Sequence, residues 1–299
     1  MSITATPLLR PKFGLMLALV GALVITPDTL MMRLSGLEGW SMLAWRGLLI
    51  GGAMLCIWMV LSRGQLRKDI ALVGSVPSLV VIFATTANNL AFNFAVVETS
   101  VTVVLTTLAI APIIAAVLSY FVLKEITQWR TWVAIFCALI GVLIVIFNGH
   151  DAIAAPSGNV LLGGFYGFLG ALGIALVFVW SRQSASLPIL LSVAIGTILS
   201  GVVGLTQADF DNMVSGNYYA IFAMGLVIMP VAWTCLSLAP RYTSPTNVSL
   251  FMLLEMVLGP VWVWAGTNET PSPLMMLGAV IVLLTLIIYT ISSARNQDQ

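Results

Sequence analysis

Long apolar stretches of about 20 residues follow one another along almost the whole chain, separated by short breaks that carry charge, glycine or proline. A helix rising ~1.5 Å per residue needs about 20 apolar residues to cross ~30 Å of hydrocarbon, so the pattern predicts membrane spans rather than soluble helices. Ten spans are predicted, over residues 13–34, 40–62, 71–95, 100–122, 129–147, 161–180, 187–206, 217–238, 243–264 and 273–292. The start "RPKFGLMLALVGALVITPD" has the basic and apolar regions of a signal peptide, but no small-x-small cleavage site follows it, so it reads as a retained first span.

Composition strengthens this reading: 60% of the 299 residues are apolar, 8% are charged, and the mean hydropathy is +1.07. Alternating the sides places Arg10, Lys12, Arg63, Arg67, Lys68, Lys124, Arg130, Arg182, Arg241 and Arg295 on one face and only Arg33 on the other. The basic face is then cytoplasmic, both termini lie inside, and a bacterial-type inner membrane is the expected location. The other face receives Glu38, Glu98, Asp151, Asp209, Asp211 and Glu269 in loops too short to fold alone, so function must sit within the bundle. Trp40, Trp129, Trp132 and Trp264 fall near span ends, where indoles belong in the interfacial belt.

A shift of 144 positions aligns Thr99, Ser100, Thr102, Val104 and Glu125 with Thr243, Ser244, Thr246, Val248 and Glu269. Near the start, a shift of 149 aligns Gly21 with Gly170 and Arg33 with Arg182. Two halves follow, 1–150 and 151–299, each with five spans. An odd number of spans inserts the second half upside down, and inverted repeats place a substrate site near the midplane between the halves.

Polar residues inside the spans are the candidates for chemistry. "ATTANNLAFNFA" carries Thr85, Thr86, Asn88, Asn89 and Asn93 in the third span, and each unpartnered amide or hydroxyl costs roughly 2–7 kcal/mol to bury. Thr85, Asn89 and Asn93 recur at intervals of four and, with Thr86, share a stripe that faces either a cavity or another helix. Asn88 stands off it, as a helix contact. The repeat maps Asn89 to Trp233 and Asn93 to Ser237, so the second half offers an aromatic face where the first offers amides. Tyr166 and Trp180 can extend that wall, or else serve as core and interface residues. Such a lining suits an amphiphilic solute.

Asp28 lies six residues before the outer end of the first span and Arg46 six after the start of the second, at one depth, so they are predicted to pair. Glu255 falls near the middle of the ninth span with no basic residue at its depth, a setting that favours the protonated form and makes it a candidate for proton coupling or a substrate ammonium, or for a bond to a neighbouring helix. Pro27, Pro112 and Pro260 mark candidate hinges, and Pro230 a further bend. Gly163, Gly164, Gly167, Gly170 and Gly173 read as close-packing positions of the sixth span.

Cys56, Cys137 and Cys235 stand singly, with no CxxC and no neighbouring histidine, so neither a disulfide framework nor a metal site is expected, and no cofactor. The sole histidine, His150, lies in a loop, and HExxH, GxSxG and Walker sequences are absent, which argues against an intramembrane enzyme or an ATP-driven pump. Near-zero net charge argues against nucleic acid as a partner. A channel or scramblase shares the need for a polar stripe.

"LAFNFAVVETSVTVVLTTLAIAPIIAAVLSYFVLKEITQWRTWVAIFCALIGVLI" resembles the end of one repeat of the drug/metabolite transporter superfamily, EamA type: Ala95 precedes a short loop, Pro112 centres an apolar helix, and Glu125 follows in the next loop. Arg46 in "MLAWRGLLIGG" resembles the arginine of that family's second span. In "LLEMVLGPVW" Glu255 is retained while Met256 replaces the usual proline and Pro260 follows one turn later. Among subfamilies the chain is most similar to exporters of aromatic and neutral amino acids. The resemblance implies an all-α integral membrane protein, two inverted five-helix repeats around a central cavity, exporting small metabolites by alternating access. Multidrug export, export of another metabolite and lipid-linked flipping are the alternatives. Phosphorylated substrates fit less well, because the sole intramembrane cation, Arg46, is expected to be occupied by Asp28.

Overall fold

The computed structural model describes residues 11–37, 39–98, 101–147, 159–267 and 272–295. Arg10, Glu38, Thr99, Ser100, His150, Asp151 and Glu269, which the sequence places in loops or at a terminus, lie outside them. The described chain is helical: α1 (Pro11–Ile25), α2 (Asp28–Ser35), α3 (Gly39–Leu61), α4 (Leu66–Leu72), α5 (Val76–Glu98), α6 (Val101–Leu108), α7 (Ala111–Leu118), α8 (Trp129–Phe147), α9 (Val160–Gln183), α10 (Ile189–Gln207), α11 (Phe210–Val214), α12 (Tyr218–Phe222), α13 (Met229–Leu238), α14 (Pro245–Thr267) and α15 (Pro273–Arg295). Nine helical stretches among the described residues are long and apolar enough to cross a membrane: Lys12–Ser35, Gly39–Leu61, Val76–Ala95, Val104–Leu123, Leu161–Gln183, Ile189–Gln207, Tyr218–Arg241, Pro245–Gly266 and Pro273–Ser292. Trp129–Val145 is a shorter apolar helix at the position of the fifth expected span. The protein is a multi-pass membrane protein whose outer surface carries side chains such as Phe83, Phe121, Ile140 and Ile288, each more than half exposed.

Three of these stretches are broken where proline withholds a backbone donor. Pro27 cannot bond the Leu23 carbonyl four residues back. Thr26 takes it instead, through its backbone N–H at 3.3 Å and its hydroxyl at 2.8 Å, and α2 restarts at Asp28. Ala109 and Ile110 interrupt the fourth stretch before Pro112 opens α7. A π-helical segment, Ala223–Ile228, precedes Pro230 at the start of α13, and a second π-helical turn, Ser119–Leu123, ends at Lys124 with φ 58°. Helix α14 continues through Pro260 without interruption.

The main partner of each long helix lies in the other half of the chain: α3 with α10, α5 with α9, α8 with α15 and α1 with α13, while α7 packs on both α9 and α14. Close approach of backbones sets the first of these. A Cβ on Gly47 would strike the backbone of Gly201, and one on Gly201 would strike Gly47 and Leu48, so the antiparallel α3/α10 crossing requires glycine on both sides. Gly141 and Gly278 play the same part for α8 and α15. Gly167, Gly170 and Gly173 of α9 meet Thr107, Leu108, Ala84 and Asn88. Helix α10 is the most enclosed of the long helices and α15 the most lipid-facing.

Candidate functional site

The third-span stripe is carried by α5, and its amides and hydroxyls divide between two neighbours. The Thr86 hydroxyl lies 2.9 Å from the carbonyl of Ile82 and 3.0 Å from that of Gly196 on α10. Asn89 donates through Nδ2 to Ser200 Oγ at 3.0 Å, and that hydroxyl passes its own proton to the Thr197 carbonyl at 2.7 Å. Thr85 packs on Gly196, whose missing side chain leaves it room. Asn88, off the stripe, donates to the Gly170 carbonyl of α9 at 2.8 Å. The stripe therefore faces a helix over Thr86 and Asn89. Thr85 Oγ1 and Asn93 Nδ2 are buried and have no hydrogen-bond partner, while Thr86 and Asn89 keep partial exposure.

The aromatic candidates are dispersed. Tyr166 stacks at a tilt on Phe94 with ring centroids 5.3 Å apart, and Phe94 meets Trp40 edge-on at 5.2 Å, so three helices close on one aromatic run. Trp180 lies fourteen residues along the same unbroken helix, about 21 Å away, too far to share one small ligand with Tyr166. Trp233 is half-buried on α13. Ser237 is fully buried, and its carbonyl accepts from Ser181 Oγ at 2.6 Å.

The break at Pro27 places Asp28 at the start of α2, facing α3. Arg46 Nη1 donates to Asp28 Oδ2 at 2.8 Å, with side-chain exposures of 17% and 4%. The π-helical segment brings Met224 against the same guanidinium, Sδ to Nη1 3.2 Å, and Met229 Sδ lies 4.0 Å from Nη2. π-Turns that reorient one residue inside a helix occur often at functional sites. Glu255 stands on the face of α14 that meets the first span, since Gly259 packs on Thr29, Trp262 Nε1 donates to Thr26 Oγ1 at 2.9 Å, and Gly266 packs on Leu30. That face turns Glu255 towards the segment carrying Asp28, within electrostatic reach of Asp28 and Arg46. This corrects the expectation that no cation lies near it. The physical reason is the Pro27 break, which sets Asp28 at the start of α2, where the Arg46 side chain reaches it from the unbroken α3. Asn89 is at the level of this cluster, because Ser200 adjoins Gly201, which crosses Gly47 beside Arg46.

A second set of buried charges has no counterpart in the sequence reading. Arg182, at the end of α9, donates through Nε and Nη2 to Glu125 Oε1 at 3.1 Å each and through Nη1 to the Arg241 carbonyl at 3.1 Å. Arg241 in turn bonds the Leu187 carbonyl, and Trp58 Nε1 donates to buried Asp69 at 2.8 Å. The available signal was the position of Arg182 and Arg241 within one turn of helix ends, where a side chain reaches across to a neighbouring terminus. Among the described residues no group of three His, Cys, Asp or Glu could hold a metal ion, and Cys56, Cys137 and Cys235 are free thiols.

No curated protein matches the chain. A solved structure described only as "Crystal structure of protein" superposes with a TM-score of 0.72 at 10% identity, covering 93% of this chain and 97% of the other, a likeness of fold alone. The sequence profile of the EamA-like transporter family matches twice, over residues 12–147 and 161–291. Those two matches take in most of the chain and both polar clusters, and the chain therefore belongs to the EamA-like transporter family, whose members carry small molecules across lipid bilayers.

Proposed function

We propose that the protein exports amino acids and similar small metabolites by alternating access, with ten spans arranged as two inverted five-helix repeats. The observation that carries the substrate class is the Asp28–Arg46 pair with Glu255 beside it, level with Asn89 and walled by Met224 and Met229. Both signs of charge stand together where α2, α3 and α14 meet. A zwitterion meets that arrangement at both of its poles, whereas a phosphorylated solute would need more than one guanidinium. Thr85, Thr86, Asn89 and Asn93 on α5 and Trp233 and Ser237 on the opposite half are the proposed cavity positions, with Tyr166 and Trp180 lining it at two separate levels, and Pro27, Pro112 and Pro260 are the proposed hinges.

Two features support the inverted arrangement. The principal pairings are unchanged when the halves are exchanged: α1 with α13 maps onto α9 with α5, the contact of α7 with α9 maps onto that of α14 with α1, and α3 with α10 and α8 with α15 map onto themselves. Counting α8 (Trp129–Phe147) as a span gives five per half, which turns the second over. Outward direction and cytoplasmic termini rest on the resemblance and on the distribution of Lys and Arg.

The test is countertransport into proteoliposomes preloaded with mixed amino acids, following labelled threonine, methionine and phenylalanine. Transient accumulation of label is expected. Saturable exchange of drugs or lipid-linked sugars without amino acids would reassign the substrate, and leak without trans-acceleration would make the protein a pore.

A further inference from the structure

Unmet hydrogen-bonding capacity at the Asp28–Arg46 pair identifies what is missing there. Asp28 is 3% exposed and uses only Oδ2 on Arg46; its Oδ1 is buried and has no donor. A buried carboxylate oxygen left without a donor is costly, because the water it gave up is not replaced. On the other side of the pair, Arg46 turns the rest of its fork to the sulfurs of Met224 and Met229, which are weak acceptors. One oxygen of the carboxylate therefore lacks a donor, and beyond Asp28 Oδ2 the guanidinium meets only weak sulfur acceptors, within one contact of each other.

Glu255 completes the set. Its position is fixed by three neighbours at intervals of three and four along α14: Gly259 against Thr29, Trp262 bonded to Thr26, and Gly266 against Leu30. Asp28 and Arg46 lie within its electrostatic reach. Ionised, the two carboxylates outnumber the one guanidinium that faces them, so the cluster favours a further positive group between the carboxylates. The group that satisfies both Asp28 and Glu255 is a primary ammonium, which offers three donors on one compact charge. An adjoining carboxylate would supply the acceptor that Arg46 lacks.

We propose that Asp28 and Glu255 form the subsite for the substrate's primary ammonium, with Arg46 receiving its carboxylate and Met224 and Met229 walling the Cα region. This deepens the amino-acid reading and rests on it for the identity of the solute, but the cation subsite has its own readout. The Pro27 break lets α2 carry Asp28 independently of α1, and the π-helical segment lets Met224 shift without unwinding α13.

The experiment is competition against labelled-methionine countertransport by unlabelled methionine, N-acetylmethionine and methioninamide, with melting of the purified protein followed in n-butylammonium. A charge-assisted bond lost on acetylation corresponds to roughly 10- to 100-fold. N-Acetylmethionine is expected to compete at least about tenfold more weakly than methionine, and methioninamide to keep more of its affinity, because it retains the ammonium. Butylammonium is expected to raise the melting temperature of the wild type and of Cys56→Ser but not of Glu255→Gln. Equal competition by methionine and N-acetylmethionine overturns the subsite while leaving amino-acid carriage intact. Absence of any methionine exchange overturns the carriage reading, and the butylammonium shift then decides the subsite: a shift lost in Glu255→Gln sustains it, and none in the wild type overturns it.

Discussion

Arg182 is anchored to Glu125 by two hydrogen bonds that converge on one carboxylate oxygen, Nε and Nη2 to Oε1 at 3.1 Å each. The guanidinium is 4% exposed and the carboxylate 27%, so the arginine alone is committed to the interior. Its remaining reach, to the Arg241 carbonyl, ties the end of α9 to the turn after α13.

Glu125→Gln therefore strands a buried cation. Breaking a buried pair from one side costs about 3–5 kcal/mol, and partial exposure of Glu125 lowers this towards the surface-pair range of about 1 kcal/mol. A fall in melting temperature in detergent is expected, and Glu125→Gln combined with Arg182→Gln should recover part of it. A double variant less stable than the single one would mean that the arginine's carbonyl contact dominates.

At the α3/α10 crossing the backbones leave no room for a methyl group. Gly47→Ala and Gly201→Ala are expected to abolish monodisperse protein in size-exclusion chromatography, while Gly52→Ala, whose added Cβ meets nothing within 4 Å, should behave as wild type. Normal yield of Gly47→Ala would show that the crossing can widen.

Asp28→Asn removes the counter-ion of Arg46 and keeps the shape. Reduced folded yield is expected from the uncompensated guanidinium. Full yield with lost transport would assign Asp28 entirely to substrate.

The Asn89–Ser200 bond separates packing from transport. Polar contacts between membrane helices average about 0.6 kcal/mol, so Ser200→Ala should change stability little. Asn89→Ala should be as mild in melting temperature but defective in countertransport if its amide also meets substrate. Equal transport by both variants would restrict Asn89 to holding α5 against α10.

Much of this architecture was legible because lipid imposes a single periodic demand. Among the described residues nine runs of sufficient length and hydropathy sit close to where the apolar pattern puts them, and Asp28 and Arg46 could be paired by counting residues from their span ends. Partner choice was not legible. Hydropathy gives a stripe its face but not its neighbour, so nothing in "ATTANNLAFNFA" tells that Thr86 and Asn89 turn to α10 while Asn88 turns to α9. The fourth predicted span is divided at Ala109 and Ile110, and the eighth contains a π-helical segment, because one missing N–H is enough to release a turn without altering the apolar count. The link from Glu255 to Arg46 was lost for the same reason, since depth along a straight helix is a poor guide once the helix bends.

Because α1, α3, α5, α7 and α8 each find their main partner beyond residue 159, a nascent chain that has delivered only its first half to the membrane holds five helices without their main partners. Gly47 and Thr86 then face lipid, and Arg46 is without Met224, Met229 and Glu255. Assembly must wait for the last helices to emerge. Fragments severed between the halves would mature only when made together, each acting as the other's template.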